Sequence, residues 1–345
     1  MEQLLKDWNW QPPAGWIKIS TLDMHTGGEP LRVIISGLPE IKGNTVLEKR
    51  RYFKEHYDKL RTGLMWEPRG HADMYGAVIS SAADADLDVF FIHNEGYSTM
   101  CGHAIIALTK MMIETGIVKK EGDHPKLTFN VPCGKIIAKA FMQDGKVGRV
   151  SFQNVPSFLY IQDKEIDVPG IGKIKFDIAY GGAFYAFVNA DEIGLGLEAK
   201  DYDRLIDHGR RIKKAVMESY TVTHPFEEDL SFLYGTIFTG KPLDAKNHSR
   251  NVCIFAEGEV DRSATGSGVS ARAALHYLKG ELAMGESISI ESITNSIMTV
   301  KVAEVLDYGP YKAIVPEVGG TASFTGRHEF YFDPGDPFTG GFIFR

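Results

Sequence analysis

Cysteine is scarce in this chain. There are three among 345 residues, at 101, 133 and 253, too few and odd in number for a disulfide framework. That excludes a small bridge-held secreted scaffold and points to a reducing, cytoplasmic setting. No apolar run approaches the roughly 20 residues that a membrane-spanning helix needs. The opening segment MEQLLKDWNWQPPAGW lacks the basic start, apolar centre and small-residue cleavage site of a secretory leader. Positive charge is also short. The 38 Lys and Arg stand against 45 Asp and Glu, a net charge of −7, which argues against a nucleic-acid partner and against an anionic membrane surface. Paired C-x-x-C and H-E-x-x-H spacings are missing. His25, His71, Asp73, Cys101 and His103 are of ligand type but form no zinc motif.

What is present is an ordinary globular composition, 43% apolar and 24% charged, long enough for two domains. Short runs rich in Val, Ile and Phe, punctuated by Gly, Pro or Asp, predict strands at 16–24, 31–37, 77–82, 87–93, 126–131, 135–141 and 148–155. The texture returns at 173–182, 184–190, 251–258, 287–292, 298–305 and 330–332. Helical periodicity is clearest at 102–116, 200–216 and 268–280, and EKRRYFKEHYDKLR (48–61) reads as a solvated helix face. Each half is thus mostly strands plus one helix that follows a small-residue motif. The expectation is an α+β protein of two similar mixed α/β domains, 1–145 and 146–324, divided near 144–148.

The two motifs are YSTMCGHAIIALTKMM (97–112) and DRSATGSGVSARAAL (261–275). In each, a Gly opens the helix, preceded by Cys101 in one and Thr265 in the other. A lone cysteine is more often a buried small hydrophobe than a catalyst. At a helix N-terminus, however, the dipole and free N–H groups lower a thiol pKa from about 8.5 and make a base or nucleophile. Cys133 and Cys253 read as structural. Gly266-Ser267-Gly268 through Ala271, with Glu286 about 20 residues on, matches a dinucleotide fingerprint. That reading needs a strand directly before the glycines, whereas EGEVDRSAT intervenes and no parallel βαβ rhythm is evident. The plainer reading is a helix end whose bare N–H groups hold a carboxylate. His103 and Asp261 each lie close to a motif glycine. If the helix ends converge, these two face the amine of a zwitterion. HTGGE (25–29) and EPRGHADM (67–74) read as turn chemistry, with pocket lining by His71 and Asp73 as the alternative.

The ordered segments DMHTGGEPLRV, EPRGHADMYGAV, MCGHA, GGAFYAFVNA, DRSATGSGVSA and FTGRHEFYFDPGDPFTGGF resemble the proline racemase superfamily along nearly the whole chain. The resemblance implies a fold like diaminopimelate epimerase: two domains that wrap strands around a central helix, with the active site between them. It also implies that strands 325–345 rejoin the first domain. It implies a small imino-acid substrate, no metal or pyridoxal phosphate, and a homodimer. Racemases and 4-hydroxyproline epimerases of the family carry cysteine at both motifs, one for each face of Cα. The Cys101/Thr265 pair is similar instead to the trans-3-hydroxy-L-proline dehydratase branch. That branch implies Cys101 and Thr265 as the catalytic positions and Gly102, His103, Asp261, Gly266 and Ser267 as substrate contacts. Elimination needs one base, because the 3-hydroxyl of the trans isomer shares a ring face with the α-hydrogen. Two alternatives remain at this point: a racemase or epimerase with a substitute second base, and a non-catalytic imino-acid binding protein.

Overall fold

The computed structural model describes residues 9–344. The opening segment considered above falls partly, and Arg345 wholly, outside the described residues. Two strands, Ile17–Thr26 and Glu29–Ser36, form a hairpin and lead into helix α1, Val46–Met65. Thr45 and Glu48 close a reciprocal capping box there, each side chain accepting from the other's backbone N–H.

Two matching series follow. In the first, Tyr75–Ser80, Leu87–His93 and the short Gly96–Ser98 pair antiparallel and deliver the chain to helix α2, Gly102–Glu114. Strands Lys126–Val131, Gly134–Gln143 and Lys146–Gln153 then wrap it. Helix α3, Tyr202–Ser219, prefaces the second series. There Leu233–Gly240, Ser249–Phe255 and Glu259–Val260 deliver the chain to helix α4, Gly266–Leu278. Ser287–Glu291, Ile297–Tyr308 and Tyr311–Gly320 wrap that one. The duplication expected from texture is therefore an element-by-element repeat.

Among the described residues, each of the four α-helices crosses between parallel strands. Residues 32–34 pair with 76–78 across α1, 87–88 with 129–130 across α2, 184–189 with 233–239 across α3, and 249–250 with 290–291 across α4. The expected lack of a parallel rhythm is thus corrected. The parallel contacts around α2 and α4 are only two residue pairs long, too short to stand out against the antiparallel hairpins. Helices α2 and α4 are buried from their first residue through Thr109 and Leu275 respectively, on every face. Their sequences, GHAIIALTKMMIE and GSGVSARAALHYL, are apolar or small all round, which suits a helix enclosed by sheet. The last long strand, Ala322–Phe332, returns to pair along Ile17–Thr26.

Besides the short Gly96–Ser98 and Glu259–Val260, three long strands lie outside the sequence reading: Ser157–Val168, Leu233–Gly240 and Tyr311–Gly320. The first carries the charged run QDKE, the second two glycines and the third Pro316, each of which weakens the strand signal. Pro316 is accommodated opposite a register shift between Val302 and Glu304. The solvated reading of 48–61 also needs correction. Phe53 and Arg61 are buried, and Arg61 Nη1 donates to the carbonyls of His93 and Asn94. Arg50 and Arg51 reach across to Asp229 in the second domain, both at about 3 Å.

Candidate active site

The site is built where α2 and α4 begin. Cys101 is the N-cap of α2 with extended backbone and no side-chain capping bond, so its sulfur is free of the helix. Thr265 is the N-cap of α4 and stands at φ +66°, a left-handed conformation that a β-branched residue rarely adopts. It is held there by local bonds. The Ser263 N–H donates to Asp261 Oδ1 at 2.7 Å, and the Thr265 N–H donates to Ser263 Oγ at 3.1 Å. A strained residue braced in this way is a feature of functional sites.

The helix ends touch backbone to backbone. A Cβ on Gly102 would stand 2.5 Å from the Gly266 Cα, and a Cβ on Gly266 would stand 2.5 Å from the Gly102 Cα. This contact is why both motifs need glycine, and it leaves no room for a pyrophosphate between them, against the dinucleotide reading. Free N–H groups from two helices therefore converge on one point, an anion-binding arrangement. Around it lies a cavity of about 20 Å³. Cys101, Gly102, His103, Asp261, Thr265, Gly266 and Ser267 all line it. That volume suits a single water, so admitting a five-membered ring requires the domains to part.

The electrostatics are those of a dry, nearly neutral pocket. Burial pushes the Cys101 thiol well up, and the Asp261 and Glu29 carboxylates add to the rise. The thiolate expected at this helix end is therefore not the resting form, because desolvation outweighs the helix N-terminus. Cys101 Sγ lies 3.2 Å from His103 Nδ1. Burial lowers the His103 pKa to about 3 and keeps the ring neutral. Burial likewise raises Asp261 to about 6, against hydrogen bonds from Ser263. Glu29 is pushed well above the carboxylate range by burial and by Asp261. Thr265 Oγ1 faces Asp261 and Cys253.

Several lining residues were missed by the sequence reading: Glu29, Tyr75, Met100, Tyr185, Tyr234 and Phe255. Glu29 stands inside HTGGE, which read as a turn; Met100 directly precedes Cys101; Tyr75, Tyr185 and Phe255 sit on ordinary-looking strands, and Tyr234 on one that the sequence reading lacks. His71 and Asp73 do not line the cavity. His71 is exposed. Asp73 is buried and joins the domains, pairing with Arg262 Nη1 at 2.5 Å and accepting from Tyr202 Oη at 2.8 Å. His25 accepts the Gly28 N–H through Nδ1 at 3.2 Å. Among the described residues, Glu29, His103 and Asp261 bring one ligand-type atom each within 4.8 Å of one another. Two raised carboxyls and a neutral imidazole can surround a metal cation, and equally a substrate ammonium.

The proline racemase family matches residues 21–343. A trans-3-hydroxy-L-proline dehydratase of Colwellia psychrerythraea is 49% identical over 341 residues, 97% of this chain and 96% of that one. The human trans-3-hydroxy-L-proline dehydratase is 45% identical over 95% of both chains. Among solved structures, a hydroxyproline epimerase from Agrobacterium vitis with bound trans-4-hydroxy-L-proline superposes with a TM-score of 0.89 at 29% identity. It covers 95% of this chain and 96% of its own. Twin helix ends meeting at Gly102 and Gly266, and a match that runs through both motifs and the returning C-terminal strand, lead to one conclusion: the chain belongs to the proline racemase family.

Proposed function

We propose that the chain dehydrates trans-3-hydroxy-L-proline to Δ2-pyrroline-2-carboxylate, which tautomerises to the Δ1 imine. The observation that carries this reading is the asymmetry of the site: a sulfur at the first helix end, and at the second only a threonine hydroxyl. Racemisation delivers a proton to the face of Cα opposite the one it left. An unactivated threonine hydroxyl is far too weak an acid and base for that role. Elimination needs one face, and the dehydratases similar to this chain support the assignment.

In this mechanism the N–H groups of Gly102, His103, Gly266 and Ser267 hold the substrate carboxylate. Asp261 and His103 face its ammonium. The arriving positive charge favours the Cys101 thiolate that burial disfavours, so the thiol gives its proton to solvent as the substrate enters the open site, and the base is formed there. Cys101 then takes the α-proton, while the helix N–H groups stabilise charge that spreads onto the carboxylate, as in an oxyanion hole. Thr265 forms the opposite wall. The domain limits 1–145 with 325–345, and 146–324, belong to the same reading, supported by the pairing of Ala322–Phe332 with Ile17–Thr26. A homodimer and a cytoplasmic location complete it, supported by the family and by three unpaired cysteines.

The direct test is incubation with trans-3-hydroxy-L-proline and an amine-trapping colour reagent for the cyclic imine. Imine from this substrate, with none from L-proline or trans-4-hydroxy-L-proline, is the expected result. Inversion at Cα without imine would establish the epimerase reading instead. Ammonium binding requires ionised Asp261, so kcat/KM should fall by up to about tenfold per pH unit below about 6. A flat profile between pH 5 and 7 would separate Asp261 from substrate binding. Thr265→Cys restores a second sulfur and should yield inverted, solvent-labelled proline from L-proline in deuterium oxide, read by chiral chromatography. Labelled product of retained configuration only would show that residue 265 does not face Cα.

A further inference from the structure

Loss of the 3-hydroxyl requires a proton as well as a base, and the mechanism above leaves its donor open. The inference rests on the dehydratase reading. Because the α-hydrogen and the 3-hydroxyl of the trans isomer lie on one ring face, the acid must stand on the same wall as Cys101. Three tyrosines and Glu29 are the remaining proton-bearing groups of the cavity. Tyr185 is on the far side, its hydroxyl paired with Ser267 Oγ of α4 at 2.7 Å. Tyr234 is stacked on Phe255 in the second domain, ring centroids 5.2 Å apart. Glu29 is anchored by the Arg262 N–H at 2.7 Å and clusters with Asp261 and His103, where the ammonium is placed.

Tyr75 alone is built into the Cys101 wall. It opens the strand Tyr75–Ser80, is buried, and its ring meets that of His103 edge-on at 4.9 Å. Its hydroxyl is hydrogen-bonded to Ser98 Oγ, three residues before Cys101, and it lines the cavity together with Cys101.

We infer that Tyr75 is the general acid that protonates the departing 3-hydroxyl, and that Cys101 returns the proton to it. The Cα–H bond breaks and its proton goes to the Cys101 thiolate. The electron pair becomes the Cα–Cβ double bond as the Cβ–O bond breaks, and the oxygen takes the Tyr75 proton and leaves as water. The tyrosinate then recovers a proton from the Cys101 thiol within the cavity that both line. One substrate gives one enamine and one water, and both side chains end as they began. Burial raises the Tyr75 pKa well above its ordinary value, so the phenol holds its proton until the leaving hydroxyl needs it, and the tyrosinate left behind is a strong base that draws a proton back.

The test is Tyr75→Phe assayed on three substrates. Dehydration of trans-3-hydroxy-L-proline should fall by about 100-fold or more, within the range that a general acid supplies. Exchange of the α-hydrogen of L-proline in deuterium oxide should stay within about tenfold of wild type, since Cys101 remains and proline has nothing to expel. Elimination from trans-3-fluoro-L-proline, whose leaving group needs no proton, should likewise be retained. Dehydration within tenfold of wild type would overturn the proposal, as would equal loss on all three substrates. If Glu29→Gln loses dehydration but keeps exchange while Tyr75→Phe stays active, the acid is Glu29 and the proposal fails. Wild-type protein that forms no imine would instead refute the dehydratase reading itself.

Discussion

Cys101→Ala is expected to lower kcat for dehydration by about 10³-fold or more while KM changes by less than about tenfold. The split follows from what the sulfur touches. It caps no helix, so its loss leaves α2 intact. No proposed carboxylate or ammonium contact runs through it, so binding survives. What disappears is the group that receives the α-proton. His103, 3.2 Å away, is no substitute, because burial lowers its pKa to about 3 and leaves it a very weak base. Asp261, at about 6, is engaged with the Ser263 N–H and with the ammonium. Cys101→Ser should be as inactive, since an alkoxide is far harder to form than a thiolate in a buried site. Solvent exchange at Cα of L-proline, read by loss of the α-proton signal, should vanish in both variants. Full turnover in either would remove Cys101 from the chemistry. A large rise in KM at constant kcat would make it a binding residue.

Much of the architecture is legible in the sequence because helix entrances are written locally. MCGHA and ATGSG each state a cap residue followed by glycine and a helix, and α2 and α4 begin at Gly102 and Gly266. The repeat was visible as texture. Its strand order was not, since pairings such as 87–88 with 129–130 depend on contacts some forty residues apart. The thiol's state was misjudged for a related reason. A helix N-terminus is a property of a few consecutive residues, whereas the desolvation that outweighs it comes from Tyr75, Tyr185, Tyr234 and Phe255 closing from two domains. Glu29 was hidden likewise. In HTGGE it looks like a solvated turn acid, and only the fold sets Arg262 against it. Residues that bear chemistry at a helix start are readable, and those that set its dielectric arrive from elsewhere in the chain.

The glycine contact yields the second large effect. Gly102→Ala should lower kcat/KM for trans-3-hydroxy-L-proline by about 100-fold, and Gly266→Ala by a similar factor. The new methyl on residue 102 would stand 2.5 Å from the Gly266 Cα and 3.0 Å from its carbonyl carbon. Those are backbone atoms at a buried helix start, so no rotamer change can relieve the contact. The helices must part by roughly 1 Å, and a displacement of that size at a reacting centre is enough to cost about two orders of magnitude. Overpacking of this kind also costs about 1–3 kcal/mol, so the melting temperature should fall by several degrees without loss of the fold. Gly96→Ala is the control. It lies close by in sequence, has nothing within 4 Å of its would-be Cβ and has an ordinary φ, so activity and melting temperature should both hold. The decisive comparison is between the two lesions. Cys101→Ala removes proton transfer and should leave KM nearly unchanged. Gly102→Ala keeps the thiol but opens the anion site, so it should raise KM and lower kcat together. If Gly102→Ala left KM unchanged, the substrate carboxylate would not be held between the two helix ends, and the shared anion site would have to be abandoned whatever became of Cys101.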